Sequence, residues 1–162
     1  MQIRTATIDD LDIIAGAEQL CFTPEEAADI KSIERRLKVY PDHFWLLLDE
    51  DGKLISFVDG LVTDNRDLTD RMYEDESIHD ESGAWQMIFG VVTIPQARKQ
   101  GYAACLLRHV IKEAETQGHK GLVLTCRERL IDYYSSFGFI NEGITEQSVH
   151  GGIVWYQMRL TF

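Results

Sequence analysis

The chain has 162 residues, 44% of them hydrophobic, which fits one globular domain with a single core and excludes the composition of a disordered chain. Its net charge of -11 argues against nonspecific attraction to nucleic acid or an anionic membrane; it would draw a cationic substrate, and an acidic surface also serves plain solubility. No stretch approaches the roughly 20 apolar residues that cross a bilayer, and Met1-Gln2-Ile3-Arg4-Thr5 lacks a basic region followed by an apolar run, so the chain reads as cytoplasmic.

Residues 3–7 read as a short first strand, after which Thr7-Ile8-Asp9-Asp10 has the form of a capping sequence opening a helix through Leu11, Ile13, Ile14 and Ala17. Thr23-Pro24-Glu25-Glu26 combines an N-cap hydroxyl, a proline suited to the first helical position and a glutamate able to close a capping box. It predicts a second helix ending near Pro41. Residues 43–49 and 54–63 are rich in aromatic and branched side chains and flank Glu50-Asp51-Gly52-Lys53, which predicts a hairpin. Residues 64–81 carry eight acids against Arg66 and Arg71 without sustained apolar periodicity. They read as a mobile or partly helical surface excursion, either a lid or a plain solvated loop.

Residues 84–94 form a continuous apolar run without alternation, the pattern of a central strand buried on both faces, with Gly90 marking a bulge or a close backbone approach. From 101 to 117, Ala103, Leu106, Leu107, Val110 and Ala114 recur at helical spacing and Gly118 supplies a C-cap. Residues 121–126 predict another strand and residues 130–137 a short helix ended by Gly138. Two further strands, from 139 to about 148 and from 153 to 160, join around His150-Gly151-Gly152; Val154, Tyr156, Met158 and Leu160 alternate as in a half-buried strand. Cys21, Cys105 and Cys126 contain no CxxC pair and are too scattered for a disulfide framework or a zinc site, so they read as reduced thiols and no metal is expected.

The junction between the apolar run and the strong helix, Arg98-Lys99-Gln100-Gly101-Tyr102-Ala103, carries the chemistry. Amides in the first turn of a helix lack intrahelical partners and, with the positive end of the dipole, form an anion site. Gly101 admits close approach of a phosphate, Ala103 keeps the next turn small, and Arg98 and Lys99 add positive charge. A lone glycine at a strand-to-helix turn is also commonplace, and neither G-x-x-x-x-G-K-[ST] nor G-x-G-x-x-G is present.

The same six residues match the pattern Q/R-x-x-G-x-G/A, and about thirty residues on, Tyr134-Ser135-Ser136-Phe137-Gly138-Phe139 provides a tyrosine before a Gly-Phe step. In these two motifs and in the order of its elements the chain resembles the GNAT superfamily of acyltransferases. Cys21-Phe22-Thr23-Pro24-Glu25-Glu26-Ala27, residues 57–68 and residues 126–139 are most similar to its serotonin (arylalkylamine) N-acetyltransferase members. The resemblance implies an α/β fold: a mixed, mostly antiparallel sheet of six to seven strands with helices on both faces, splayed between the fourth and fifth strands. It implies acetyl-CoA as co-substrate, its pantetheine along Val91, Val92 and Thr93 and its pyrophosphate on Arg98, Lys99, Gln100, Gly101, Tyr102 and Ala103.

It also implies direct attack by a primary amine in a ternary complex, with Tyr134 as general acid; a core tyrosine on the face of Leu130 and Phe137 is the structural alternative. Two histidines serve the base in the serotonin enzyme, and Met87 and Phe89 stand at the matching positions here. Asp59, a carboxylate in an apolar strand, is the leading candidate for a base or an ammonium anchor, or is a structural acid. His79, Glu81, Glu128 and His150 are weaker candidates. Trp85, Tyr73 and the acidic segment are chemically suited to a small cationic or aromatic amine. Cys126 has no histidine beside it in sequence and reads as a buried thiol, and Arg127 replaces an asparagine that touches the cofactor in many members. The alternatives are a protein or peptide amine as acceptor and a noncatalytic acyl-CoA-binding module. A monomer or homodimer is expected.

Overall fold

In the computed structural model, which describes residues 1–162, β1 (Gln2–Thr5), β2 (Phe44–Leu48), β3 (Leu54–Asp59) and β6 (Gly90–Thr93) form an antiparallel sheet in the order β1-β2-β3-β6. These strands belong to a compact unit made of Met1–Gly60 and Gly90–Val110. All of β2 is buried. Two helices bury Ile14, Ala17, Ile33 and Leu37: α1 (Leu11–Cys21) and α2 (Ile30–Val39). The predicted capping box is present, with the Asp10 carboxylate accepting the Thr7 N–H at 2.8 Å, and a 3-10 turn at Ile8–Asp10 leads into α1.

Thr23-Pro24-Glu25-Glu26 does not open the second helix. It makes one turn, closed by the Ala27 N–H on the Thr23 carbonyl at 2.8 Å. Propagation stops there because Glu18 Oε1 takes the Ala28 N–H at 3.1 Å, and Asp29 then caps α2 through the Ser32 N–H at 2.7 Å. The hairpin turn forms as predicted, with Asp49 Oδ1 accepting the amides of Asp51 and Lys53 at 2.8 and 2.9 Å and Gly52 at φ 79°.

The second unit, Leu61–Phe89 with Ile111–Phe162, holds a mixed sheet ordered β4-β5-β7-β9-β8. Its strands are β4 (Val62–Thr63), β5 (Trp85–Ile88), β7 (Gly121–Cys126), β8 (Ile140–Ile144) and β9 (Tyr156–Thr161). Only β5 and β7 run parallel. Two strands expected to be continuous are each broken, residues 54–63 at Gly60-Leu61 and residues 84–94 at Phe89. Counting each broken strand once, the nine strands become the seven of the expected α/β fold. The breaks reflect a change of hydrogen-bond partner: β5 pairs with β4 and β7, whereas β6 pairs with β3 alone.

α4 (Tyr102–Thr116) is the long helix that the periodicity predicts. It ends in a Schellman arrangement, with the Gly118 N–H on the Glu115 carbonyl at 3.0 Å, the His119 N–H on the Ala114 carbonyl at 3.2 Å and Gly118 at φ 85°. α5 (Ile131–Ser135) is shorter than predicted and follows a 3-10 turn at Glu128–Leu130; Gly138, at φ 102°, ends the segment.

Residues 64–81 take the partly helical form of the two expected, and the segment is anchored. They contain α3 (Arg71–Glu74), and Leu68 and Met72 are buried. Asp70 accepts the Ser148 hydroxyl at 3.0 Å and the Val149 N–H at 2.8 Å, and Asp64 accepts the Ala84 N–H at 2.9 Å. The acids that suggested a solvated loop are in part its anchors.

The second unit also carries a buried ionic network without a local sequence signal. Arg159, 5% exposed, donates to both Glu142 oxygens at 3.0 and 3.2 Å, to Asp67 at 2.8 Å and to the Arg66 carbonyl at 2.8 Å. Its guanidinium lies 4.6 Å from the centre of the Trp85 ring. Burial disfavours an ionised Glu142, but the hydrogen bonds from Arg159 and Gln157 outweigh it and hold the carboxyl below its usual range. Truncation would leave Asp67 and Glu142 with only the exposed Arg66 as a cation. Arg159→Ala is expected to lower unfolding free energy by about 3 kcal/mol, measured by urea denaturation at neutral pH.

Candidate active site

β6 is an edge strand of its sheet, so one side of its backbone, at Gly90, Val91, Val92 and Thr93, carries no neighbouring strand. The chain leaves it through a 3-10 turn at Pro95–Ala97 and enters the turn Arg98 to Ala103. Lys99 at φ 61° and Gly101 at φ 83° both occupy the left-handed region, and the Cys105 N–H on the Gly101 carbonyl at 3.0 Å is the first bond of α4. The amides of Tyr102 and Ala103 thus belong to the first helical turn and have no carbonyl partner within α4. A Cβ on Gly101 would meet nothing within 4 Å, so its need for glycine comes from the backbone angle. Arg98 folds back, Nε donating to the Thr93 carbonyl at 3.3 Å, which ties the turn to the end of β6.

Asp59 stands opposite Gly90 in the ladder, and a Cβ at Gly90 would lie 3.0 Å from its Oδ1. Glycine is therefore what lets the carboxylate reach over the first residue of β6. Asp59 is 2% exposed, and Arg36 Nη1 from α2 lies 3.3 Å from its Oδ2. Burial pushes the Asp59 carboxyl up to about 6 even against the attraction of Arg36. This geometry suits a fixed structural or positioning acid better than a base that must meet a substrate.

Glu18 completes the group and was missed from sequence. Burial, reinforced by the negative charge of Asp59, raises its carboxyl to about 7. One signal was legible: Ile14, Glu18 and Cys21 lie on one face of α1, and an acid on the buried face of an amphipathic helix is a marked residue. Arg36 interrupts the buried face of Ile33 and Leu37 in the same way.

In the second unit Tyr134 is 8% exposed, with its ring edge-on to Tyr133 and Phe139 at 5.1 and 6.1 Å. Burial, with smaller contributions from Tyr133 and Cys126, raises its phenol well above the ordinary tyrosine range, so it keeps its proton. Cys126 is buried against Met158 Sδ at 3.5 Å and is pushed up to about 11, a neutral thiol rather than a nucleophile. Met87 is fully buried and Phe89 packs on Tyr73 at 4.7 Å, so neither can pass a proton.

One face of the half-buried Trp85 ring carries the Arg159 guanidinium, 4.6 Å from the ring centre. Tyr73 stands with Phe89 and with His150, whose ring centre is 5.4 Å away, as a half-buried aromatic group. His79 Nδ1 accepts the Val62 N–H at 3.0 Å and Nε2 lies 2.7 Å from Glu81, which gives both side chains a local structural task. Glu128 opens a 3-10 turn that Arg127 precedes as N-cap residue.

The acetyltransferase (GNAT) family model matches residues 11–139, which include the turn, β6 and Tyr134. The chain belongs to the acetyltransferase (GNAT) family. It is a GNAT-type N-acetyltransferase. The serotonin N-acetyltransferase of Mesocricetus auratus is 26% identical over 145 residues, covering 78% of this chain and 69% of that protein. Among solved structures, the GphF GNAT-like decarboxylase in complex with isobutyryl-CoA has a TM-score of 0.84 at 19% identity, covering 99% of each chain. The ribosomal-protein-S18-alanine N-acetyltransferase from Escherichia coli has a TM-score of 0.73 at 20% identity, covering 99% of this chain and 92% of that one. These structures share the GNAT fold with this chain, and no helix of the chain is long and apolar enough to cross a membrane.

Two outcomes follow from the turn and the acid group. Gly101→Val is expected to weaken acetyl-CoA binding at least tenfold by calorimetry, while costing about 1–2 kcal/mol of stability for a branched residue at positive φ. Glu18 and Asp59 bind their protons more tightly in the folded chain than in the unfolded one, where their ordinary values are 4.5 and 3.8. Folded-state stability therefore falls as pH rises from about 4 toward 7. Asp10 and Glu142, held below their usual range, act oppositely and lose their contribution as pH falls further. Thermal unfolding midpoints should decline between about pH 5 and 7, and Glu18→Gln should shrink that decline.

Proposed function

We propose that the chain transfers an acetyl group from acetyl-CoA to the nitrogen of a small cationic or aromatic amine, by direct attack in a ternary complex. The observation that carries this reading is the continuity of the unpaired edge of β6 with the amide-lined turn that follows it. Val91, Val92 and Thr93 would bond the amide groups of pantetheine as a neighbouring strand does. The turn from Arg98 to Ala103 would hold the diphosphate on helix-end amides, with Arg98 and Lys99 adding charge in a protein of net charge -11.

Acyl transfer from a thioester requires a neutral amine and a proton for the departing sulfur. Tyr134 suits the second need. Its raised phenol stays protonated at neutral pH, and its hydroxyl makes no hydrogen bond to another protein group. Asp59 acts as a positioning acid, since Arg36 and Gly90 occupy its surroundings. The aromatic group of Tyr73, Phe89 and His150 and the serotonin N-acetyltransferase likeness support an aromatic amine over a peptide amine.

The test is thiol release from acetyl-CoA with a panel of arylalkylamines, polyamines and amino-terminal peptides. Tyr134→Phe is expected to lower kcat about 100-fold while leaving acetyl-CoA affinity nearly unchanged. Turnover restricted to peptides would overturn the small-amine reading, and an unchanged kcat in Tyr134→Phe would remove Tyr134 as the acid.

A further inference from the structure

An aspartate that precedes a helix ordinarily accepts an amide of that helix. Asp70 precedes α3 and makes no such bond. Its carboxylate turns to residues far along the chain: Oδ1 accepts the Ser148 hydroxyl at 3.0 Å and Oδ2 the Val149 N–H at 2.8 Å. Its own N–H donates to the Gln147 carbonyl at 3.0 Å. One residue thus holds three consecutive residues of the connection between β8 and β9. The hold shows in burial, since Ser148 is 1% exposed while Val149 beside it is 60% exposed. Asp70 itself has a fixed base. Leu68 and Met72 on either side of it are buried, and the Leu68 N–H donates to Gln157 Oε1 of β9 at 3.1 Å.

The residue that follows the held segment is His150. Its carbonyl accepts the Trp155 Nε1–H at 2.8 Å, and its ring lies 5.4 Å from that of Tyr73 with the planes 31° apart. Tyr73 stands on α3, three residues beyond Asp70, and its other ring neighbour is Phe89 at 4.7 Å. The same short helical turn therefore follows the carboxylate that fixes the loop and carries the ring on which the loop's histidine packs. All three rings are half-buried, so part of their surface is open to a further ring.

We infer that Asp70 is a positioning residue for the acceptor: by fixing residues 147–149 it sets His150 against Tyr73, and the group of Tyr73, Phe89 and His150 receives the aromatic ring of an arylalkylamine. The inference rests on the reading of β6 as the strand that receives acyl-CoA. With the diphosphate on the turn after β6 and pantetheine along Val91, Val92 and Thr93, the thioester end falls toward Gly90, and Phe89 is the residue joined to Gly90 in the chain. Hydrogen bonds at Asp70 that merely supported the fold would affect every acceptor alike. Bonds that set His150 act on the contact with the ring and leave the chemistry at the thioester unchanged.

The experiment compares 2-phenylethylamine with n-butylamine, which lacks the ring, as acceptors in thiol release from acetyl-CoA. It also follows the His150 imidazole resonance, identified by its loss in His150→Ala. Asp70→Ala is expected to raise KM for 2-phenylethylamine about tenfold, with kcat, kcat/KM for n-butylamine and acetyl-CoA affinity all within about twofold of wild type. Asp70→Asn, which keeps an oxygen for the Val149 N–H, should recover most of that loss. Ser148→Ala, which removes one bond of the three, should raise KM about threefold. Asp70→Ala added to His150→Ala should change KM by less than about twofold, because the effect travels through that ring. In the wild type, 2-phenylethylamine should shift the His150 resonance by ring current, and Asp70→Ala should abolish the shift. An unchanged KM in Asp70→Ala, an equal loss for both amines, or full additivity with His150→Ala overturns the inference. So does a His150 resonance that the amine does not move. If Asp70→Ala does not fold, Asp70→Asn and Ser148→Ala carry the same comparison. Wild-type protein that binds acetyl-CoA yet releases no thiol with any amine refutes the acyl-transfer reading, and the response of His150 to the amine, with and without Asp70, then still decides what Asp70 positions.

Discussion

The feature on which the remaining architecture depends is the exchange of hydrogen-bond partners at Phe89. A strand inside a sheet has both edges satisfied, and residues 84–94 have the apolar composition for that state throughout. Up to Ile88 the ladder is complete, with β4 on one side and β7 on the other. From Gly90 onward the chain bonds to β3 alone. A peptide-like molecule is the natural partner for the edge so released, because it carries the same donors and acceptors. The pantetheine arm of an acyl-CoA is the partner proposed for it. Gly90 makes the exchange compatible with Asp59, since any side chain there would press on its carboxylate.

Two buried ionic groups illustrate how the ratio of cations to acids sets proton affinity. Around Arg159, two carboxylates, Asp67 and Glu142, meet two guanidiniums, Arg159 and Arg66, and the hydrogen bonds hold Glu142 ionised. Around Arg36, Asp59 holds the guanidinium while Glu18 feels only its field, and burial raises both carboxyls. The first arrangement stabilises the folded state at neutral pH. The second weakens it there, because both acids must be ionised against burial.

Electrostatics at the turn work through backbone rather than net charge. The protein is acidic overall, yet the left-handed angles of Lys99 and Gly101 bring the chain into α4, whose first amides have no carbonyl partner within the helix. The role proposed for the turn is compatible with that overall charge, because screening in salt limits long-range repulsion far more than contact hydrogen bonds.

The sequence by itself determined the elements whose signals are local. The capping box at Thr7, the Asp49 to Lys53 turn, helix α4 with its Gly118 cap and strand β7 follow from residues close in the chain. The turn from Arg98 to Ala103 and its pairing with Tyr134 were legible as a family pattern, since they depend on residue identity at fixed spacing. Tertiary structure alone decided the rest. It stopped the helix at Thr23 by lending the Glu18 carboxylate to Ala28, broke the strands at Gly60 and Phe89 by changing their partners, and covered Trp85 with Arg159. It also brought Arg36 of α2 onto Asp59 of β3 and set Glu18 of α1 within their field. Hydrogen-bond partners and the proton affinity of a carboxyl are set by what surrounds them in space, and those neighbours lie too far apart in the chain for a local pattern to announce them.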